Sequence, residues 1–174
     1  MAEKKINPSL LLCVLHITNE CNLKCKHCYA SAGLKKNNEL SKDEIFDLID
    51  QLDELETQYI MYSGGEPLLR KDLWDFVEYS NKKGIPGMLE TNGTVIDRKH
   101  AKKCSENFES VQISFDSHIP KVHDEFRGMK GAFEKSVKGI KLLKESGNVK
   151  IGVMSTLSKV NINNLNKMID YFAD

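Results

Sequence analysis

The chain carries no net charge: its 174 residues include 25 basic and 25 acidic side chains. No bulk field therefore steers it toward nucleic acid or an anionic membrane surface. Long apolar runs are also missing, and none approaches the roughly 20 residues that a bilayer-spanning helix needs. Proline is scarce, at 4 residues, and no linker or low-complexity stretch divides the sequence, so one domain with a real core is expected over 1–174. The cysteines do not form a paired set. There are 5, an odd number, and three fall within eight residues. That crowding does not suit a secreted disulfide scaffold and favours a reducing, cytoplasmic setting in which thiolates are metal ligands. Lys4, Lys5, the run "SLLLCVLHI" and Ala30 to Ala32 imitate a signal peptide. The intervening "TNECNLKCKHC" is too polar and too long for a cleavage region.

What the sequence does contain is a repeated alternation. Apolar runs at 10–17, 59–63, 86–91, 110–115 and 150–156 are separated by segments of helical period, the pattern of consecutive βα units. The first helix is predicted from Ser41, whose S-K-D-E start forms a capping box with Glu44, and its inward stripe is Ile45, Leu48, Ile49, Leu52 and Leu55. A second carries Leu73, Phe76 and Val77 and stops near Gly84. A third, polar one begins near Asp97; a fourth spans Ala132 to Ser146; a fifth starts near Asn164 with Leu165, Met168, Ile169 and Phe172 inward. Nearly continuous apolar strands imply a parallel sheet covered on both faces. Five units are too few to close an eight-stranded barrel, so the fold class is α/β, a partial TIM-like barrel.

The unusual residues follow the strands. Cysteines come after the first, "SGGEP" after the second, "ETNG" after the third, "SFDS" after the fourth and "VMST" at the fifth. In parallel βα folds those strand ends share one rim, where active sites are built. Cys21, Cys25 and Cys28 can hold three irons of a cubane cluster and leave the fourth open, whereas a purely electron-transferring cluster normally takes four cysteines. A zinc site would need His27 as a fourth ligand beside Cys28, without the paired knuckles usual in structural zinc. Gly64 and Gly65 allow close backbone approach, followed by the carboxylate of Glu66 and the rigid Pro67.

The C-x3-C-x2-C of Cys21, Cys25 and Cys28, with G-G-E-P at Gly64 to Pro67, resembles the radical S-adenosylmethionine (radical SAM) superfamily. "TNG" at 91–93, "SFD" at 114–116 and "HDEFRG" at 123–128 resemble its peptide-maturase and haem-pathway (SPASM-type) members. The resemblance implies that the three cysteines bind a [4Fe–4S] cluster whose open iron is chelated by S-adenosylmethionine. It implies that Gly64, Gly65 and Glu66 receive the methionyl amino group, that Ser114 and Asp116 lie at the ribose and sulfonium, that Arg127 holds the methionyl carboxylate, and that His27 passes the adenine. Reductive cleavage would give a 5′-deoxyadenosyl radical for hydrogen abstraction, drawing on a low-potential electron donor of ferredoxin or flavodoxin type. The substrate would be a peptide or protein side chain, or alternatively a tetrapyrrole or other small cofactor precursor.

Cores of that family usually have six βα units, and the peptide-modifying members add a C-terminal domain. The chain is therefore expected to be an incomplete core, completed by a missing C-terminal domain or a second chain. Other residues read more simply. Cys13 is expected to be a small buried residue, Cys104 sits on the polar helix without an identified partner, and His16 is expected in the core. His123 and Asp124 orient the segment bearing Arg127, Tyr62 reaches the cavity, and Glu90, Thr91 and Asn92 stand at the rim. The rival from another class is a non-enzymatic metal-binding or electron-transfer module, which gives Gly64 to Pro67 and Arg127 no role.

Overall fold

The computed structural model describes residues 10–34, 36, 38–147 and 149–173. Lys4 and Lys5 of the leader-like pattern lie outside them. In chain order the elements are β1 (Leu12–Thr18), α1 (Lys42–Glu54), β2 (Tyr59–Gly64), α2 (Leu73–Lys82), β3 (Gly87–Thr91), α3 (Arg98–Asn107), β4 (Phe108–Ser114), α4 (Pro120–Arg127), α5 (Ala132–Ser146), β5 (Lys150–Met154) and α6 (Leu165–Ala173). Short 3-10 turns occupy Pro67–Leu69 and Ile162–Asn164. The strands form one parallel sheet in the order β1-β2-β3-β4-β5. A doubly wound sheet reverses direction at a switch point; this one adds every strand to the same side, which is the winding of a partial barrel. No described helix is long and apolar enough to cross a membrane.

Register decides which side chains meet. Leu15, Tyr62, Leu89 and Val111 are partners across four strands, and all are buried on the helix-facing side. On the opposite, concave side His16 pairs with Ser63 and Glu90 with Gln112. The capping box of α1 forms as expected, with Glu44 N donating to Ser41 Oγ and Ser41 N donating to Glu44 Oε2 at 2.8 Å. Ile45, Ile49 and Leu52 are its buried stripe, each contributing roughly 1.5–3 kcal/mol by leaving water. Leu55 is not part of that stripe. It stands 54% exposed, because the helix ends at Glu54 and Glu56 turns the chain outward at a φ of 54°.

Three further differences from the sequence reading affect the site. Tyr62 does not reach the cavity: its hydroxyl donates to Phe76 O and Ser80 Oγ on α2, so its ring belongs to the helix-packed core. His16 is exposed on the concave side of the edge strand β1, not buried. The helix α4 has no counterpart in the five predicted segments; Pro120 opens its first turn and Gly128 closes it in the left-handed region at a φ of 68°. Ile169 of α6 also faces outward, while Met168 is buried. Cys13 is half-buried, and Cys104 is fully buried on α3, where burial pushes its thiol up to about 12.

Candidate active site

The loop after β1 is held in place by backbone bonds on three sides. Gly65 N donates to Thr18 O and Glu66 N to Glu20 O, both at 2.7 Å, so the loop is zipped to the end of β2. Cys21 N donates to Gly33 O and Gly33 N to Asn19 O, closing the loop on itself. Lys26 N donates to Phe126 O, docking it on α4. A side chain on Gly65 would drive into the carbonyl of Glu20, and Gly64, at a φ of 125°, would drive one into that of Thr18. These two glycines are what the close approach of the loops requires.

Cys21, Cys25 and Cys28 all line one cavity of about 280 Å³. Cys21 Sγ accepts from Leu23 N at 3.4 Å and Cys28 Sγ from Ala32 N at 3.3 Å, while Arg127 Nη1 lies 3.9 Å from Cys25 Sγ. Burial pushes the Cys21 thiol up to about 11 and raises that of Cys25, the latter opposed by the Arg127 guanidinium. Loading a metal group here therefore releases protons. Among the described residues no three His, Cys, Asp or Glu side chains gather tightly enough to hold a single metal ion.

Gly64, Gly65, His27, Ser114 and Arg127 line the same cavity, as their sequence positions imply. Glu66, Pro67 and Asp116 do not: Glu66 and Asp116 are 0% and 1% exposed and serve the scaffold. Glu66 Oε1 accepts from Leu68 N and Thr91 Oγ1, and Oε2 from Asn92 N, which clamps the end of β3 to the turn after β2. Burial holds this carboxyl up at about 7. Asp116 joins the ends of β4 and β5, since its Oδ1 accepts from Thr156 N and its carbonyl from Asn161 Nδ2.

Asp116 Oδ2 lies 2.7 Å from Arg127 Nε, an ion pair in contact without an aligned hydrogen bond. His27 Nε2 stands 3.9 Å from the same oxygen and its ring stacks on Phe126 at 4.1 Å. Burial and then Arg127 lower the His27 pKa, favouring a neutral ring. His123 Nδ1 accepts from Asp116 N, and burial followed by Arg127 pushes its pKa down to about 4. Asp124 accepts from Gly131 N and Phe133 N, tying α4 to the start of α5. His123 and Asp124 thus orient the Arg127 segment, as expected.

Ser63 and Thr156, which lie in the rim stretches "SGGEP" and "VMST" without being singled out there, and Tyr29 also stand on the cavity wall. Ser63 is the concave-side neighbour of Tyr62, and Tyr29 follows the last cysteine and bonds His16 Nε2 through its hydroxyl at 2.9 Å. Glu90, Thr91 and Asn92 also line the cavity.

A family model described as Radical SAM superfamily matches residues 15–172. The chain belongs to the radical SAM superfamily. It is 42% identical over 163 residues to an Fe-coproporphyrin III synthase of Methanosarcina barkeri, covering 92% of this chain and 40% of that protein. It is 35% identical over 147 residues to the mycofactocin maturase MftC of Mycolicibacterium smegmatis, covering 83% and 37%. A solved structure of anSMEcpe with bound AdoMet and a Cp18Cys peptide superposes with a TM-score of 0.78 at 25% identity, covering 95% of this chain and 48% of that one. The chain thus spans less than half the length of these radical SAM proteins.

A [4Fe–4S] cluster and S-adenosylmethionine are the superfamily's cofactors. The residues fit them. Three thiols share one cavity with a guanidinium and two glycines pressed against neighbouring carbonyls. Structural zinc usually takes four protein donors, and the ring of His27 beside these three thiols is turned to Phe126 and Asp116, whereas a four-iron cluster with one open iron takes three cysteines.

Proposed function

We propose that this chain is the part of a radical SAM enzyme that holds the cluster and cofactor and aims the resulting radical at an organic substrate. The observation that carries the reading is the convergence of Cys21, Cys25 and Cys28 with Gly64, Gly65, Ser114 and Arg127 on one cavity. When bound and reduced, the cluster and S-adenosylmethionine together supply a 5′-deoxyadenosyl radical, which takes hydrogen from the substrate.

The chain's own residues bind and orient. Cys21, Cys25 and Cys28 ligate iron, and the Gly64 and Gly65 backbone accepts the methionyl amino group. Arg127 holds the methionyl carboxylate by charge-assisted bonds, and Ser114 meets the ribose. His27, flat against Phe126, offers a ring surface to adenine. Asp116 acts one step away, by fixing Arg127 and the end of β5. The electron comes from a low-potential ferredoxin or flavodoxin type of donor in the cytoplasm, a compartment that suits five free cysteines.

For the substrate, a peptide or protein side chain is the first reading. Arg127 is the one lysine or arginine on the described cavity wall and the cofactor's carboxylate engages it, so nothing there is left to meet a polycarboxylate. The maturase relative and the peptide-bound structural neighbour support this. A tetrapyrrole is the second reading, favoured by the 42% identity to the Fe-coproporphyrin III synthase.

Anaerobic reconstitution with iron and sulfide, then electron paramagnetic resonance of the reduced protein with and without S-adenosylmethionine, tests the proposal. A [4Fe–4S] signal that changes on adding the cofactor, followed by 5′-deoxyadenosine formation, upholds it. Uptake of zinc alone, or a signal blind to the cofactor, defeats it in favour of a structural metal module. Stimulation of 5′-deoxyadenosine formation by an iron tetrapyrrole offered as reactant, rather than by iron coproporphyrin III, the product for which that relative is named, would select the second substrate class.

A further inference from the structure

The cavity wall carries one carboxylate among the described residues, and it is not that of the G-G-E-P motif. Glu66 is fully buried, and both of its oxygens are engaged by Leu68 N, Thr91 Oγ1 and Asn92 N. Redirecting it to a ligand would strand a buried donor at each bond it released. Glu90 differs in every respect. It stands on the concave side of β3 and lines the cavity, half-buried. Ser63 Oγ donates to its Oε2 at 2.6 Å, while Oε1 has no hydrogen bond or ion pair among the described residues.

A half-withdrawn carboxylate with an open oxygen, facing a cavity, is a site for positive charge, because a cation offsets the cost of having taken the anion from water. The cavity's fixed cation, Arg127, is already paired with Asp116 and does not bond Glu90. Ser63, which sets the carboxylate, directly precedes Gly64 and Gly65, where the amino end of the cofactor is read to lie. S-adenosylmethionine brings one carboxylate and two positively charged groups, an ammonium and a sulfonium. Arg127 answers the first; the cations need an anion.

We propose that Glu90, held by Ser63, is the carboxylate that receives the positive charge of S-adenosylmethionine, and that Glu66 shapes the site without touching the cofactor. This rests on reading the cavity as the cofactor site.

The test uses the full chain with its cluster reconstituted anaerobically, and measures equilibrium binding of S-adenosylmethionine and of S-adenosylhomocysteine, which keeps the ammonium but lacks the sulfonium charge. Glu90→Gln is expected to weaken S-adenosylmethionine binding roughly tenfold or more, with iron content and unfolding midpoint near those of the parent. Ser63→Ala weakens it in the same direction but less, since the carboxylate remains. An equal loss for both ligands assigns Glu90 to the ammonium, and a loss confined to S-adenosylmethionine assigns it to the sulfonium; either upholds the proposal. Unchanged binding in Glu90→Gln, or weakening only in step with lost iron or lost stability, overturns it. A parent protein that loads iron yet binds neither ligand refutes the cofactor reading itself, and this inference with it.

Discussion

Asp116 Oδ2 and Arg127 Nε meet at 2.7 Å with their side chains 1% and 9% exposed, so the group read as the cofactor's carboxylate clamp, at the end of α4, is positioned by a buried anion just past the end of β4. Breaking such a pair from one side leaves an uncompensated buried charge, which costs about 3–5 kcal/mol. Asp116→Asn is expected to lower unfolding stability by that order in urea titration, even though an amide oxygen can still accept from Thr156 N. A variant as stable as the parent would show that the pair is not a support of the fold.

His123 makes stability depend on acid. Its pKa in the fold is about 4 against 6.5 for the free side chain, so the unfolded chain binds the proton more readily. Its contribution is fully present above pH 6.5 and is lost as pH falls toward 4, by about 3 kcal/mol at most. Because Glu66 shifts stability the other way over the same range, the readout is the difference between the two proteins: from pH 7 to 4.5 the urea midpoint of the parent should fall relative to that of His123→Gln.

Glu66 acts with the opposite sign. Its carboxyl titrates at about 7 in the fold against 4.5 when free, so its contribution is fully present below pH 4.5 and is lost as pH rises through 7. In a His123→Gln background, stability should therefore decline between pH 5 and 7.5. A flat profile over that range would mean the three donors around Glu66 outweigh its burial.

Gly65→Ala tests the close approach of the two loops. Its methyl group would fall 2.7 Å from the Glu20 carbonyl carbon and 2.9 Å from that of Asn19, so backbone must move. Overpacking of this kind costs about 1–3 kcal/mol, and the displaced loop carries Cys21. Iron content after reconstitution should drop together with the unfolding midpoint; a loaded, stable variant would contradict the contact.

Cys104 separates structure from ligation. Fully buried on α3 and remote in chain from the cluster loop, it is expected to give full iron loading as Cys104→Ala with a stability loss of about 1–2 kcal/mol. Alanine at Cys21, Cys25 or Cys28 should instead lower iron content. Iron analysis and urea unfolding of the four variants decide the matter.

The cysteine triplet, the two glycines and the α1 stripe are readable in the sequence because each is local: spacing, turn chemistry and a 3.6-residue period carry them. The strand "YIMYS" is less legible. Large side chains occupy both of its faces, so alternation alone does not say that Tyr62 meets α2 while Ser63 meets the cavity. The eight residues of α4 are too few for a clear period, and Pro120 and Gly128 mark its ends only once it is known to be there. Glu66's hold on the end of β3 and Asp116's hold on the end of β5 depend on partners 25 to 45 positions away in the chain. A motif names such a residue, but only the tertiary structure shows which way its oxygens turn.

The sequential strand order also bears on how the site is assembled in time. Because β1 pairs with β2 and their ends are zipped through Thr18, Glu20, Gly65 and Glu66, the cysteine loop takes two of its three backbone attachments, that zip and its own closure through Gly33, from the first half of the chain. Arg127 and its Asp116 support belong to later units, which add at the far edge of the sheet. During synthesis from the N-terminus these two attachments can form before the third, Lys26 N to Phe126 O, and before Arg127 is made, so the cradle for the metal group is complete only once α4 docks on the loop.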